Sequence, residues 1–197
     1  MKANLPHLII FGAQGSGKGT QAAALAEKFG LSHINTGAIY RSLAAQGTSL
    51  GQKIHSIIAP GNLVPDDLTK EVIERELAKL GATDGFILDG YPRTLPQTED
   101  LKEILDELDR REPRPVFIVL KVPKAELLRR IRFRAETEQR HDDTDEGIAR
   151  RLKIFEATTA PIIHEVEEWA DVVTVDADAP IPVVTARILE ALSAHTR

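Results

Sequence analysis

The sequence has no cysteine in its 197 residues, which excludes disulfides, thiolate nucleophiles and every cysteine-based zinc site. Any metal must therefore be held by oxygen or imidazole ligands, and the lack of thiols suits a reducing compartment. No apolar run approaches the ~20 residues that a bilayer-crossing helix needs. Residues 1–11 hold one lysine and a short apolar run broken by Pro6, without the pattern of a cleaved leader. These features lead us to expect a cytoplasmic protein with no membrane partner. Positive charge is scarce as well: 25 Lys and Arg against 30 Asp and Glu give a net charge of −5. A broad cationic field for nucleic acid is absent, so any bound polyanion must be small and met locally. None of the six histidines pairs with another at ligand spacing, and Trp169 stands alone, so we read these as packing or surface residues.

What the sequence does have is an alternation of short apolar runs with amphipathic stretches over a length that suits one domain, residues 1–197. Residues 8–11, 33–35, 86–88, 116–120 and 172–175 read as strands. Helices are expected over residues 18–29, in glycine-punctuated pieces up to Pro60, and from Pro65, Asp66 and Asp67 onward, where Leu68, Val72, Ile73, Leu77 and Leu80 recur at helical spacing. Further helices follow at Leu101 to Leu108, around Leu127 to Ile131, over residues 148–169 and over residues 184–192. The polar stretch 135–147 reads as a loop or flap. Strands alternating with helices imply an α/β fold with a parallel sheet and right-handed crossovers.

Gly12, Gly15, Gly17, Lys18, Gly19 and Thr20 lie between the first strand and the first helix, the context a phosphate-binding loop requires. Glycines let successive N–H groups turn toward phosphate oxygens, and the helix N-terminus adds partial positive charge. Lys18 supplies a point charge for the outer phosphates. The strict pattern puts Ser or Thr directly after the lysine, whereas Gly19 intervenes here.

Three segments, GAQGSGKGTQ at Gly12 to Gln21, INTGAIYR at Ile34 to Arg41 and DGYPRTLPQ at Asp89 to Gln97, resemble the signature segments of the adenylate kinase family, in which the Gly-Lys-Gly-Thr spacing is normal. A fourth, RIRFR at Arg130 to Arg134 followed by QRHDD and RRL, resembles that family's lid and flanking arginines. The resemblance implies a P-loop NTPase fold with a parallel five-stranded sheet. It also implies an AMP-binding flap at about residues 35–64 and a short ATP lid at about residues 134–143. The implied reaction is reversible phosphoryl transfer from Mg-ATP to AMP, giving ADP, in a monomer with no structural zinc and no nucleic-acid partner.

The same resemblance assigns residues. Gly15, Ser16, Gly17, Lys18, Gly19 and Thr20 would bind ATP together with Arg130, Arg134 and Ala179. Thr36, Arg41, Asn62, Leu63, Val64, Gly90, Tyr91, Pro92, Arg93 and Gln97 would bind AMP. Lys18, Arg93, Arg130, Arg134, Arg140 and Arg151 would carry catalysis, with Arg140 and Arg151 also reaching AMP. Asp89 would hold magnesium through water, helped by Thr20, and Asp142 and Asp143 would orient the lid. Arg110, Arg111, Arg129, Arg132 and Arg150 are expected on solvated helix faces. Ala38 stands where the family usually has an aspartate, Gln14 where it commonly has a proline, and Tyr91 where it commonly has a phenylalanine. A UMP or CMP kinase of the same fold, expected to differ at Thr36 and Gln97, is the nearest alternative. A nucleotide-binding regulator with weakened catalysis, suggested by Ala38, is the other.

Overall fold

The three central strands are apolar on both faces, as a sheet covered by helices on both sides demands. The computed structural model describes residues 7–81, 84–110, 113–138 and 144–195. The chain runs β1 (His7–Phe11), α1 (Lys18–Phe29), β2 (Ser32–Asn35), α2 (Thr36–Ala45), α3 (Ser49–Ile58), α4 (Asp66–Leu77), β3 (Phe86–Asp89) and α5 (Leu95–Glu107). It continues through β4 (Val116–Lys121), α6 (Lys124–Glu138), α7 (Asp145–Ile154), a π-helical turn (Phe155–Thr159), α8 (Ile162–Val166), β5 (Asp171–Asp176) and α9 (Ile181–His195).

The strands form one parallel sheet in the order β2-β3-β1-β4-β5. Ile10 of β1 faces Asp89 of β3, and Phe11 faces Val119 of β4, so the carboxyl ends of the central strands lie at one edge. The chain leaves β1 toward β2 and leaves β3 toward β4, in opposite directions, which opens a crevice at that edge.

The two-residue period of a strand sends Ile9, Phe11, Phe86, Leu88 and Phe117 to one face and Leu8, Ile10, Ile87, Ile118 and Leu120 to the other. The first face packs against Ile73 and Leu77 of α4, Leu101, Ile104 and Leu105 of α5, and Ile162 and Val166 of α8. Ala22 and Leu25 of α1 with Val184 and Ile188 of α9 cover the second. Each fully buried Ile or Leu contributes about 1.5–3 kcal/mol by leaving water. Two smaller clusters wall the crevice. Tyr40, Ile54, Val64 and Val72 join α2, α3 and α4, while Leu127, Ile131, Ile148 and Leu152 join α6 and α7 to Ala13 of the glycine-rich loop.

The expected helix over residues 148–169 is broken in the structure. Thr144 accepts a hydrogen bond from the Gly147 N–H at 3.1 Å and so starts α7 earlier, at Asp145. Farther on the ladder widens to a π turn, and Pro161, which lacks an N–H, separates that turn from α8. α6 also runs to Glu138, into the stretch expected as a loop. Arg110 corrects a further expectation: it is 3% exposed rather than solvated. Its guanidinium donates to the carbonyls of Asp84 at 2.7 Å, Gly81 at 2.6 Å and Leu80 at 3.4 Å, closing the end of the α4–β3 connection. Trp169 packs edge-on against Phe117. Among the described residues, no helix is long and apolar enough to cross a membrane.

His7 stacks on Phe86 with ring centroids 4.4 Å apart, and burial, reinforced by Arg110, pushes its imidazole down to about 4. As pH falls from about 6.5 toward about 4, the unfolded chain takes up a proton that the folded chain refuses, so stability falls with pH across that window. The loss expected is about 3 kcal/mol. Urea unfolding at pH 7 and pH 4 should show it in the parent, and His7→Phe should remove most of that difference.

Candidate active site

A cavity of about 1270 Å³ opens at the carboxyl edge of the sheet. Pockets for single small ligands run to roughly 300–1,000 Å³, so the space admits more than one mononucleotide. Its floor is the loop between β1 and α1, one wall is α2, α3 and α4, and the other is α6, α7 and the start of α9.

The floor is built from backbone constraints. Gly15 has φ +83, and a Cβ there would lie 2.8 Å from both the Ile131 Cγ1 and the Leu127 carbonyl oxygen of α6, so only glycine fits. Lys18 is half-buried and donates from Nζ to the Ala13 carbonyl at 2.8 Å, folding the side chain back over the loop. The Ser16 hydroxyl is buried and has no hydrogen-bond partner among the described residues. The loop thus presents N–H groups, an ammonium and an unsatisfied hydroxyl in one concavity, a donor set suited to phosphate oxygens.

Cations gather over this floor. Burial pushes the Lys18 ammonium down to about 8, opposed by Asp89 and assisted by Arg93 and Arg134. Burial likewise lowers the Arg93 guanidinium, with Asp89 acting the other way and Arg151 adding to the fall. These mutual effects put Lys18, Arg93, Arg134, Arg151 and Asp89 in one electrostatic neighbourhood. Such a site favours a polyanion.

Arg93 is positioned from β3. Gly90, at φ +88, leaves no room for a Cβ: the Arg93 Nη2 and Thr36 Oγ1 would each be 2.7 Å away. Arg93 donates from Nε to the Gly90 carbonyl at 2.6 Å, and its own carbonyl accepts from Thr159 Oγ1 at 2.9 Å, so the π turn braces it from behind. Arg151 reaches across from α7 and donates to the Ile58 carbonyl of α3 at 3.4 Å.

On the α2–α4 side, Arg41, Asn62, Leu63, Val64, Gly90, Tyr91, Pro92 and Gln97 all line the cavity. Thr36 does not. Its hydroxyl donates to the Gly90 carbonyl at 3.0 Å, and the residue is 2% exposed, so it stands behind the wall. The Gln97 amide is already engaged on both ends, accepting from the Arg93 N–H and donating to Asp66, each at 2.7 Å. The Tyr91 hydroxyl is buried with no partner among the described residues, and burial first, then Asp100 and Asp66, raise its ionisation well above the ordinary phenol value.

On the other side, Arg130, Arg134 and Ala179 line the cavity. Arg130 donates from Nη2 to the Ala177 carbonyl at 3.1 Å and from Nε to Glu126 at 2.7 Å, which ties α6 to the segment after β5. Arg129 and Arg130 together hold the Glu126 carboxyl down at about 2. Arg140, Asp142 and Asp143 lie outside the described residues.

Asp89 closes β3 and is 5% exposed. Its Oδ2 accepts from Asn35 Nδ2 and lies 3.7 Å from His33 Nε2. The same oxygen is 3.4 Å from where a Gly19 Cβ would sit, beside the phosphate loop. A hard-oxygen acid in the same cavity as the exposed Thr20 fits magnesium carried on a polyphosphate. Among the described residues, no group of three or more His, Asp or Glu side chains converges as a protein-only metal site.

Sequence reasoning missed several residues that shape this site: Asn35, Asp66, Thr159 and Phe133. Asn35 caps α2, accepting from the Ala38 N–H at 2.7 Å while it holds Asp89, so the side chain that bonds the Ala38 backbone also keeps a polar link to the acid. Phe133 lines the cavity with 63% of its surface exposed. Its place one residue before Arg134 in RIRFR is the sequence signal that could have found it.

The family model described as adenylate kinase matches residues 10–170. The chain is 42% identical over 185 residues to the adenylate kinase of Thermus thermophilus, covering 94% of this chain and 96% of that one. It is 41% identical over 185 residues to that of Bifidobacterium longum, covering 94% and 98%. It is 39% identical over 184 residues to that of a Cyanothece species, covering 93% of each. With a glycine-rich loop, a converging set of cations and a parallel five-stranded sheet behind them, the chain belongs to the adenylate kinase family.

Proposed function

We infer that the chain is an ATP:AMP phosphotransferase that moves the terminal phosphoryl group of Mg-ATP to AMP, reversibly, giving two ADP. One observation carries the reading: a single cavity of about 1270 Å³ holds a phosphate loop between two walls, with Lys18, Arg93, Arg134 and Arg151 in its lining and within electrostatic reach of one another. ATP would lie with its phosphates on Gly15 to Thr20 and its base between Arg130 and Ala179. AMP would lie against Asn62, Leu63, Val64, Gly90, Tyr91 and Pro92, with its phosphate on Arg41 and Arg93. α2 and α3 would act as a flap over AMP.

An AMP phosphate oxygen attacks the γ-phosphorus of ATP, a new P–O bond forms, and the bond from that phosphorus to the β,γ-bridging oxygen breaks. The attacking phosphate is already anionic at neutral pH, so no general base is needed. What the protein supplies is alignment and positive charge around the transferring group. Lys18 and Arg93 meet the donor and acceptor phosphates, while Arg134 and Arg151 approach from the α6–α7 side. Asp89, with Thr20, would hold the magnesium through water. When bound, that ion neutralises charge on the donor phosphates and fixes their geometry.

The same reading takes the protein as a cytoplasmic monomer without nucleic-acid or membrane partners, in keeping with its net charge of −5. ADP formation from Mg-ATP with AMP, UMP and CMP at equal concentration tests it. AMP should be the fastest acceptor, and faster turnover of UMP or CMP would overturn the assignment.

A further inference from the structure

We propose that Asp66 is a specificity-determining positioning residue, which locks the Gln97 amide in one orientation so that the site reads a 6-amino base edge and rejects a 6-oxo one. The proposal rests on the AMP reading above. Gln97 is 3% exposed yet forms part of the cavity wall. Its Nε2 donates to Asp66 Oδ1 at 2.7 Å, and its Oε1 accepts from the Arg93 N–H at 2.7 Å.

An ionised carboxylate can only accept, and a backbone N–H can only donate. Turning the amide over would set oxygen against oxygen at Asp66 and N–H against N–H at Arg93, losing both bonds. The orientation is therefore fixed by the chemistry of its two neighbours. Asp66 is itself held: Thr94 Oγ1 donates to its Oδ2 at 3.0 Å, and it opens α4, where the helix N-terminus favours negative charge.

After these two bonds the amide keeps one N–H and one lone pair in its plane. The edge of adenine offers an acceptor at N1 and a donor at N6, which match that pair. Hypoxanthine has nearly the same outline but donates from N1 and accepts at O6. With the amide free to turn, either base could be served; with it locked, the 6-oxo base faces like against like. A site built to hydrogen-bond one polarity penalises the other because its polar groups are left unpaired.

A bland alternative gives Asp66 only a structural role at the start of α4. The two differ in what they do to base preference. kcat and KM should be measured for AMP and IMP, with Mg-ATP as donor, in the parent and in Asp66→Asn and Asp66→Ala. Asparagine keeps the shape but can face Gln97 with either its oxygen or its nitrogen. The ratio of kcat/KM for AMP to that for IMP should shrink by about tenfold or more in Asp66→Asn, largely through KM for AMP, with KM for ATP unchanged. Asp66→Ala should do the same if it folds, and Asp66→Asn carries the test if it does not. An unchanged ratio, even with lower overall activity, would overturn the proposal. A parent that prefers UMP or CMP to AMP would instead overturn the AMP reading itself.

Discussion

Lys18→Met should lower kcat by about 10³-fold while the protein keeps its fold. Methionine fills the space of the lysine stem, so the half-buried position stays packed, and among the described residues the hydrogen bond lost is that to the Ala13 carbonyl. What disappears is a positive charge that is desolvated before any substrate arrives. A charge held in such a place meets developing negative charge without water having to reorganise, so its removal falls on the transition state more than on binding. The expected signature is a large fall in kcat with a modest change in KM for ATP, and a thermal unfolding midpoint close to that of the parent. pH gives a second readout. The Lys18 ammonium titrates at about 8 in the free protein, so as pH rises through that value the neutral amine accumulates. kcat/KM for ATP should therefore decline above about pH 8 in the parent. Near-normal turnover by Lys18→Met would remove Lys18 from the proposed machinery.

Arg93→Ala should lower kcat/KM for AMP by about 10²- to 10³-fold, the second large effect. Arg93 is the cation fixed on both sides of its own backbone: the Gln97 amide takes its N–H and Thr159 takes its carbonyl. Its guanidinium is anchored through Nε to Gly90, which leaves the two terminal nitrogens able to grip a phosphate as a fork. Arg93→Lys separates charge from fork. It should recover only part of the activity, because a lysine cannot bond Gly90 and two phosphate oxygens in one plane. Steady-state kinetics with each substrate varied in turn checks the expectation, since KM for ATP should change far less than KM for AMP. Equal losses toward both substrates would place Arg93 away from the acceptor.

The sheet is legible in the sequence wherever burial on both faces writes a continuous apolar run, as in Leu8 to Phe11, Phe86 to Leu88 and Val116 to Leu120. The phosphate loop is legible too, because Gly12, Gly15 and Gly17 sit at positive φ, a demand of the local backbone. What depends on distant partners is not. The burial of Arg110 comes from three carbonyls 26, 29 and 30 residues away. The bond from Asn35 to Asp89 spans 54 residues, and the bond from Gln97 to Asp66 spans 31. No local spacing records such contacts. The helix expected over residues 148–169 shows another limit: its apolar period continues across the π turn and Pro161, so periodicity alone hides the break. Thr36 and Gln97 were both expected at the base, but only Gln97 reaches the cavity wall, since Thr36 spends its hydroxyl on Gly90.

The most direct measurement is the stoichiometry of the reaction, following all three adenine nucleotides by 31P NMR after Mg-ATP and AMP are mixed with the protein. Two ADP should appear for each ATP consumed, nothing should be consumed when AMP is withheld, and the reverse reaction should begin from Mg-ADP alone. ATP loss that proceeds without AMP and yields inorganic phosphate would contradict a cavity built to hold two nucleotides around one transferring phosphoryl group.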